Sequence, residues 1–297
     1  MQFKAIFENY RKLLYRLIVK GKIFVWIALG IALVVVAFEL INQPLKYQEI
    51  KIKLSEKYLA WQGVATNGKY IYVATDRDKN FNLEDIISVY DMKGTLIKEK
   101  HNAYTMKDSN GKFMSFGGIS IIKNEMFATV YNINGGGKPY ISRVEEYSLP
   151  NLEIVKGAEL GSGIAESIQR HGGFYWVSYY DKQVIGKFDL HFNHIKDYAL
   201  SQPMGQYGGY QGMMWYKGDV YLNMHGPNKY GKTPEEALDR YSFDGKKFHY
   251  VETIKPATYG TTQDIQYFKH KFYWNDRPAN EIVITTKLEK IDQTENR

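Results

Sequence analysis

The sequence predicts an all-β protein: a five-bladed β-propeller closed by an N-terminal outer strand, preceded by an amphipathic helix and one transmembrane helix. Three observations lead there. One short phrase recurs five times after residue 60. The chain is aromatic-rich, with 25 Tyr, 15 Phe and 5 Trp among 297 residues, and such side chains suit half-buried pleated surfaces. A single long apolar run, near the N-terminus, separates a basic segment from all the repeats.

The recurring phrase is a small or polar pair, an aliphatic residue, a short polar turn and an aromatic-rich run. Its copies begin at Gln62-Gly63-Val64, Gly117-Gly118-Ile119, Glu166-Ser167-Ile168, Gln211-Gly212-Met213 and Gln263-Asp264-Ile265. Their starts lie 55, 49, 45 and 52 residues apart, close to the period of a four-stranded blade. Within each copy the pair begins an inner strand and the aromatic run forms the second. A third strand follows, as in Ile87-Ser88-Val89-Tyr90 or Leu238-Asp239-Arg240-Tyr241, and then a polar outer strand such as Phe248-His249-Tyr250-Val251. Turns carry the residues that tight reversals need, for example Thr66-Asn67-Gly68-Lys69 and Asp244-Gly245-Lys246. A β-sandwich with accidental periodicity is the competing fold.

The fifth copy has no outer strand of its own, because the chain ends soon after Lys287. Residues 47–54 alternate polar and apolar and precede the first inner strand. They are expected to supply the missing strand, which removes the exposed sheet edge of an open array. The propeller then covers residues 47–291, with 42–46 as a linker and 292–297 as a tail.

Residues 23–41 contain one charge in nineteen positions, enough to span the roughly 30 Å apolar core of a bilayer. Basic residues before this run place the N-terminus in the cytoplasm and the propeller outside. A cleaved signal peptide is the rival reading, but the basic region is long for one, and Glu39 and Pro44 suit a helix exit. In residues 1–22, Phe3, Ile6, Phe7, Tyr10 and Leu14 recur at helical spacing opposite Arg11, Lys12 and Arg16. That pattern suits a helix lying on membrane lipid. The formal charge of +7 is largely a property of this segment, which argues against a nucleic-acid partner. With no Cys, disulfides and Cys-ligated metals are excluded.

Successive turns of a meander alternate between the two ends of a blade. Here one end carries short turns, and the other carries segments 76–86, 101–116, 131–142, 201–210 and 225–237. Long loops in a compact domain are more often functional than idle. On that face Gln62, Glu166, Gln211 and Gln263 are expected to ring a channel mouth. Asp76, Arg77, Asn132, Asp181, Asp276 and Arg277 follow second strands, while Trp61, Tyr180 and Tyr210 wall the cleft. Glu166 and His225 are the acid/base candidates. The plainer alternatives are a polar channel holding ordered water and a turn role for His225. The remaining histidines, His101 apart, fall on short turns or an outer strand and read as solvated.

Residues 76–85 place oxygen ligands at alternate positions, as a calcium loop begins. They lack Gly at the sixth position and have Ile87 where the bidentate Glu belongs, so a solvated loop is the default and calcium the rival. No other cofactor or metal is assigned. The glycine clusters at 135–137 and 205–209 are followed by no helix and fail the context of a nucleotide-binding loop.

The openings Gln62-Gly63-Val64 and Gln211-Gly212-Met213 resemble those of secreted five-bladed propellers, including the bacterial and plant type of glutaminyl cyclotransferase. The resemblance implies the fold over residues 47–291. The other copies depart from the tripeptide, so no catalytic residue is carried over. Two functions follow as expectations. One is a membrane-anchored extracytoplasmic module binding a glycan, cell-envelope polymer or partner protein on the long-loop face. The other is an extracytoplasmic hydrolase or transferase with its site at the channel mouth.

Overall fold

A computed structural model describes residues 12, 15, 19, 21, 31, 48–54, 62–75, 85–108, 111, 113–132, 139–202, 209–224, 238–254, 262–276 and 279–288. The chain separates into two units, Met1–Lys46 and Tyr47–Arg297. Among the described residues no helix is long and apolar enough to cross a membrane. The expected anchor at 23–41 lies outside them apart from Ile31, as do the linker, the tail and most of residues 1–22.

The second unit is a five-bladed β-propeller of antiparallel, four-stranded sheets. After β1 (Glu49–Lys53), the first blade comprises β2 (Gly63–Thr66), β3 (Tyr70–Thr75), β4 (Ile86–Asp91) and β5 (Leu96–Lys100). The second has β6 (Ser115–Ile122), β7 (Glu125–Tyr131), β8 (Ile141–Ser148) and β9 (Ile154–Ser162). The third has β10 (Ala165–His171), β11 (Phe174–Tyr179), β12 (Val184–Phe188) and β13 (His194–Ala199). The fourth has β14 (Tyr210–Tyr216), β15 (Asp219–Met224), β16 (Leu238–Phe243) and β17 (Phe248–Ile254). The fifth has β18 (Thr262–Phe268), β19 (Lys271–Asp276) and β20 (Glu281–Thr285), and its outer strand is β1. Ile50 pairs with Ile284 and Ile52 with Ile282, so the two ends of the unit close the ring as the alternation at 47–54 predicts.

Each blade is buried on both faces, which explains why the second and third strands read as nearly continuous apolar runs. Side chains alternate between two seams. Tyr72 and Val89 pack with Phe116 and Tyr147 of the second blade. Ile71, Val73 and Tyr90 turn the other way, toward Ile52, Tyr273 and Ile282 of the fifth. The other seams are filled by Phe127 against Tyr175 and Phe192, by Trp176 against Phe248, and by Tyr221 and Leu238 with Phe272 and Trp274. Wedge-shaped gaps between twisted sheets need large side chains, so the aromatic surplus is the filling of five seams.

At the hub the need reverses. Inner strands touch all round the ring: β2 with β6, β6 with β10, β10 with β14, β14 with β18 and β18 with β2. A Cβ on Gly63 would lie 2.7 Å from the Ile119 nitrogen, and one on Gly118 would lie 2.5 Å from the Glu166 carbonyl oxygen. A Cβ on Gly212 would lie 3.0 Å from Cα of Asp264. These glycines sit in strands where neighbouring backbone leaves no room for a side chain. The small member of the repeated pair is therefore a hub requirement.

Gly63→Ala should destabilise the propeller by about 1–3 kcal/mol, since the added methyl meets backbone that cannot turn aside. Equilibrium urea unfolding checks this, and an unchanged midpoint would show that the inner strands have slack.

Candidate functional site

Four of the five inner strands carry a one-residue bulge, and each falls on the repeated pair. Pairing slips between Phe116 and Ile119 in β6, and between Ala165 and Ser167 in β10. It slips again between Tyr210 and Met213 in β14, and between Thr262 and Ile265 in β18. The residues displaced from the ladder are Gly117-Gly118, Glu166, Gln211-Gly212 and Gln263-Asp264. Only β2 pairs without a slip, with the Gln62 nitrogen donating to the Ala74 oxygen at 3.1 Å. In blades two to five the phrase thus lies inside the strand, not at its first residue as the sequence reading has it. Bulges re-aim side chains and gather beside binding sites, and these four re-aim the polar residues expected at the rim.

A bulge leaves backbone N–H groups without ladder partners, and the second strand supplies substitutes. In β7, Thr129 Oγ1 accepts from the Gly118 nitrogen at 3.1 Å and lies 3.0 Å from the Glu166 carbonyl oxygen. In β15, Asn223 Oδ1 accepts from the Gly212 nitrogen. In β19, Asn275 Oδ1 accepts from Gln263 at 3.2 Å and Asp264 at 2.8 Å, while its Nδ2 donates to the Gln62 oxygen at 3.5 Å. The corresponding residue is Ser178 in the third blade, whose Oγ makes no hydrogen bond, and Ala74 in the unbulged first. Sequence reasoning missed this set. Its signal was a polar residue interrupting an otherwise apolar second strand opposite the small pair.

Asp264 is the most consequential residue that the reading passed over in favour of its neighbour Gln263. Its side chain is fully buried at the hub. Oδ2 accepts from the Val64 nitrogen at 3.3 Å and from the Ile119 nitrogen at 3.2 Å, and Oδ1 from the Ile265 nitrogen at 2.9 Å. One carboxyl group therefore joins blades five, one and two. Burial pushes it well above the ordinary carboxylate range, outweighing the three N–H donors that favour the charged form.

The other expected residues divide by what their polar atoms do. Asn132 accepts from the Ile141 nitrogen at 2.8 Å and donates to Asp108 at 3.0 Å, which ties the end of β7 to the start of β8. Asp181 accepts from the Ile164 nitrogen at 2.7 Å, and Asp276 from the Ala279 nitrogen at 3.1 Å, so each clamps a turn. Burial raises the Asp276 carboxyl. The Tyr210 hydroxyl lies 2.6 Å from Asp239 and 2.7 Å from the Tyr241 hydroxyl, inside the fourth blade. Gln62, Glu166, Gln211 and Gln263 are buried on successive inner strands. Burial and then the nearby Glu166 charge raise the Tyr180 hydroxyl pKa. The Gln211 Oε1 is buried without a hydrogen-bond partner. Trp61, Asp76, Arg77, His225 and Arg277 lie outside the described residues, as does the expected calcium segment except Asp85. Among the described residues no group of three His, Asp or Glu side chains could hold a metal ion.

Of the histidines read as solvated, His194 and His249 are exposed and pair with Asp197 at 2.8 Å and Asp244 at 2.9 Å. His171 differs: its ring lies flat on Trp215, with centroids 3.9 Å apart, and burial lowers its pKa.

No family model matches the chain, and no curated protein matches it in sequence. Solved structures do. The glutaminyl cyclase of Myxococcus xanthus aligns with a TM-score of 0.58 at 9% identity, over 83% of this chain and 97% of that one. The likeness is one of fold. Proteins of unknown function from Bacteroides caccae and Bacteroides thetaiotaomicron VPI-5482 align at TM-scores of 0.45 and 0.46, with 10% and 12% identity. Those alignments cover 72% and 81% of this chain and 70% and 76% of theirs.

Asp264 sets a pH dependence. Its raised folded pKa means that the native protein keeps this proton to higher pH than the unfolded chain does. The stabilisation is complete below the ordinary value of 3.8 and is lost as pH rises through the folded value. Asp264→Asn should remove that slope. It should also cost about 1–3 kcal/mol, because one amide N–H must then oppose a backbone donor. Urea unfolding across pH tests both, and equal slopes for wild type and variant would refute the proton assignment.

Proposed function

We propose that this chain is a membrane-tethered, extracytoplasmic binding module that seats its ligand on the bulged, polar end of the hub. The observation that carries the reading is Gln211. Its strand breaks register at that residue, and its side-chain oxygen Oε1 is buried and meets no donor among the described residues. A buried acceptor left alone costs about 1–3 kcal/mol, so it marks a place where a partner's N–H or O–H belongs. Gln62, Glu166 and Gln263 on neighbouring strands make the surroundings polar with one carboxylate. That chemistry suits a glycan, an envelope polymer or a protein segment, each of which offers hydroxyl or amide donors. The tether is supported by the apolar run at 23–41 and the basic residues before it.

Chemical cross-linking in native membranes, followed by purification of the full chain, should capture an envelope polymer or protein. Gln211→Ala should weaken that capture about tenfold, equivalent to about 1.4 kcal/mol. No captured species from wild type, or equal capture by the variant, would end this reading. Protease added outside intact cells should digest the propeller and spare residues 1–22; the reverse pattern would invert the topology.

A second reading, an extracytoplasmic hydrolase or transferase, is favoured by Glu166. What supports it is a buried carboxylate on a bulge whose charge reaches the Tyr180 hydroxyl, a setting in which acid/base groups are often found. Once a substrate is turned over, the double variant Glu166→Gln, His225→Ala should lose at least a hundredfold in rate, the usual worth of general acid/base catalysis. Retained turnover would remove both residues from the chemistry.

A further inference from the structure

The turns that join first to second strands gather at the other end of the inner strands from the bulges. In blades two to five they are two-residue loops: Lys123-Asn124, Gly172-Gly173, Lys217-Gly218 and Lys269-His270. Both residues of each loop have positive φ, the backbone that tight hairpins adopt to follow strand twist. The first blade turns on Asn67-Gly68-Lys69. Neighbouring turns touch: the His171 ring lies on Trp215, the Tyr216 and Tyr267 rings are 4.7 Å apart, and Gly68 sits against the Phe268 ring.

Glycine and asparagine suit that backbone better than lysine does. Yet lysine opens three of the four two-residue loops, at φ of 53°, 52° and 46°. Turn geometry therefore does not account for the lysines. With Lys69 they give the ring of inner turns four exposed ammonium groups and no carboxylate. Among the described residues no ion pair engages any of the four. Most acids at this end are already engaged. Asp219 accepts from Arg240 at 2.7 Å, while Asp91, Asp189 and Asp244 accept from nitrogens of their own turns at 2.7 to 2.9 Å. Glu125, exposed at the start of β7, is an opposing charge. Half-buried apolar side chains flank each turn: Tyr70, Ile121, Phe174, Tyr216 and Phe268.

The chain also enters the propeller at this end. Glu49 pairs with Thr285, Thr285 with Phe272 and Phe272 with Tyr267, one row across the fifth blade beside the Lys269-His270 loop. Gln48 precedes that row, and its nitrogen donates to the Thr286 hydroxyl at 2.9 Å. Residues 42–47 alone separate Gln48 from the apolar run at 23–41, at most about 25 Å of extended chain.

We propose that the short-turn end of the propeller lies on the anionic headgroups of the membrane that holds residues 23–41. This orientation rests on the tether proposed above and goes beyond it. Each lysine near an anionic lipid surface strengthens association about fivefold. The half-buried aromatic and aliphatic side chains beside them suit the boundary between headgroups and acyl chains. A nucleic-acid backbone would meet the same lysines, but only a membrane also accounts for the apolar flanks and for the point where the chain enters. The bulged hub end then points away from the bilayer, toward whatever the hub binds.

The chain has no Cys, so one introduced thiol can carry a fluorophore. The full chain is reconstituted in vesicles of phosphatidylcholine, alone or mixed with phosphatidylglycerol, with a nitroxide on some headgroups as quencher. A label at Asn124→Cys should be quenched several-fold more strongly in the mixed vesicles, and high salt should reverse this. A label at Thr105→Cys, beyond β5 at the other end, should be quenched in neither. Changing Lys69, Lys123, Lys217 and Lys269 together to Glu should abolish the lipid dependence; should that variant not fold, the same four changed to Gln decide. Equal quenching at Asn124→Cys in both lipids, stronger quenching at Thr105→Cys, or indifference to the lysine changes would overturn the orientation. Release of the Asn124→Cys label from mixed vesicles by duplex DNA would overturn it in favour of nucleic acid. Flotation separates this outcome from the tether. A chain that floats with neutral vesicles but shows no lipid dependence keeps the tether and loses the orientation. One that floats only with anionic vesicles, and only with its lysines, keeps the docking face and loses the tether. Flotation with neither removes both.

Discussion

Five β-sheets can share an axis only if their innermost strands approach almost to backbone contact, and the rest of the propeller follows from that constraint. Gly63, Gly118 and Gly212 sit where a methyl group would strike a neighbouring backbone. Four of these crowded strands bulge, and only β2 keeps a regular ladder. The bulges strand N–H groups, and Thr129, Asn223 and Asn275 answer them from the second strands. Asp264 then straps three blades together through one carboxyl group. Close approach, lost pairing and buried polar repair are one chain of cause and effect.

The same constraint explains why the hub is both a structural and a candidate binding region. A bulge removes a residue from pairing and gives its side chain a new direction. Glu166, Gln211 and Gln263 are among those residues, so their re-aimed side chains are a by-product of closing the ring. Deeper in the blades, Asp239 and Glu145 tie neighbouring side chains together. Asp239 lies 2.6 Å from the Tyr210 hydroxyl and 2.6 Å from the Thr253 hydroxyl. Glu145 receives Arg143 at 2.9 Å and Tyr104 at 3.1 Å, in space left by Gly157. Buried carboxylates there are fully engaged with hydroxyl or guanidinium donors, unlike the Gln211 oxygen at the rim.

Architecture was legible because it is periodic. The repeat set five blades, the alternation at 47–54 set the closing strand, and turn residues set the strand order. The site was legible only in part, because contacts across the axis join positions such as Val64 and Asp264, which are 200 residues apart. Gln263 was singled out by type, while its neighbour Asp264 makes the contacts that bind the blades. Asn132, Asp181 and Asp276 were expected beside the hub residues, but the partners of their side chains are backbone nitrogens, which no pattern of residue types reveals.

Closure by β1 has a consequence for biosynthesis. Gln48 and Thr286, joined at 2.9 Å, are separated by 238 positions, so the strand made first waits for the strand made last. Until β20 is made, β1 has no partner, and an unmatched strand is the form of β-structure most ready to pair with the wrong neighbour. Lys51 and Lys53, both exposed on β1, place repelling charge on that waiting edge. The order in which the ribosome delivers the chain therefore makes the last seam the vulnerable one.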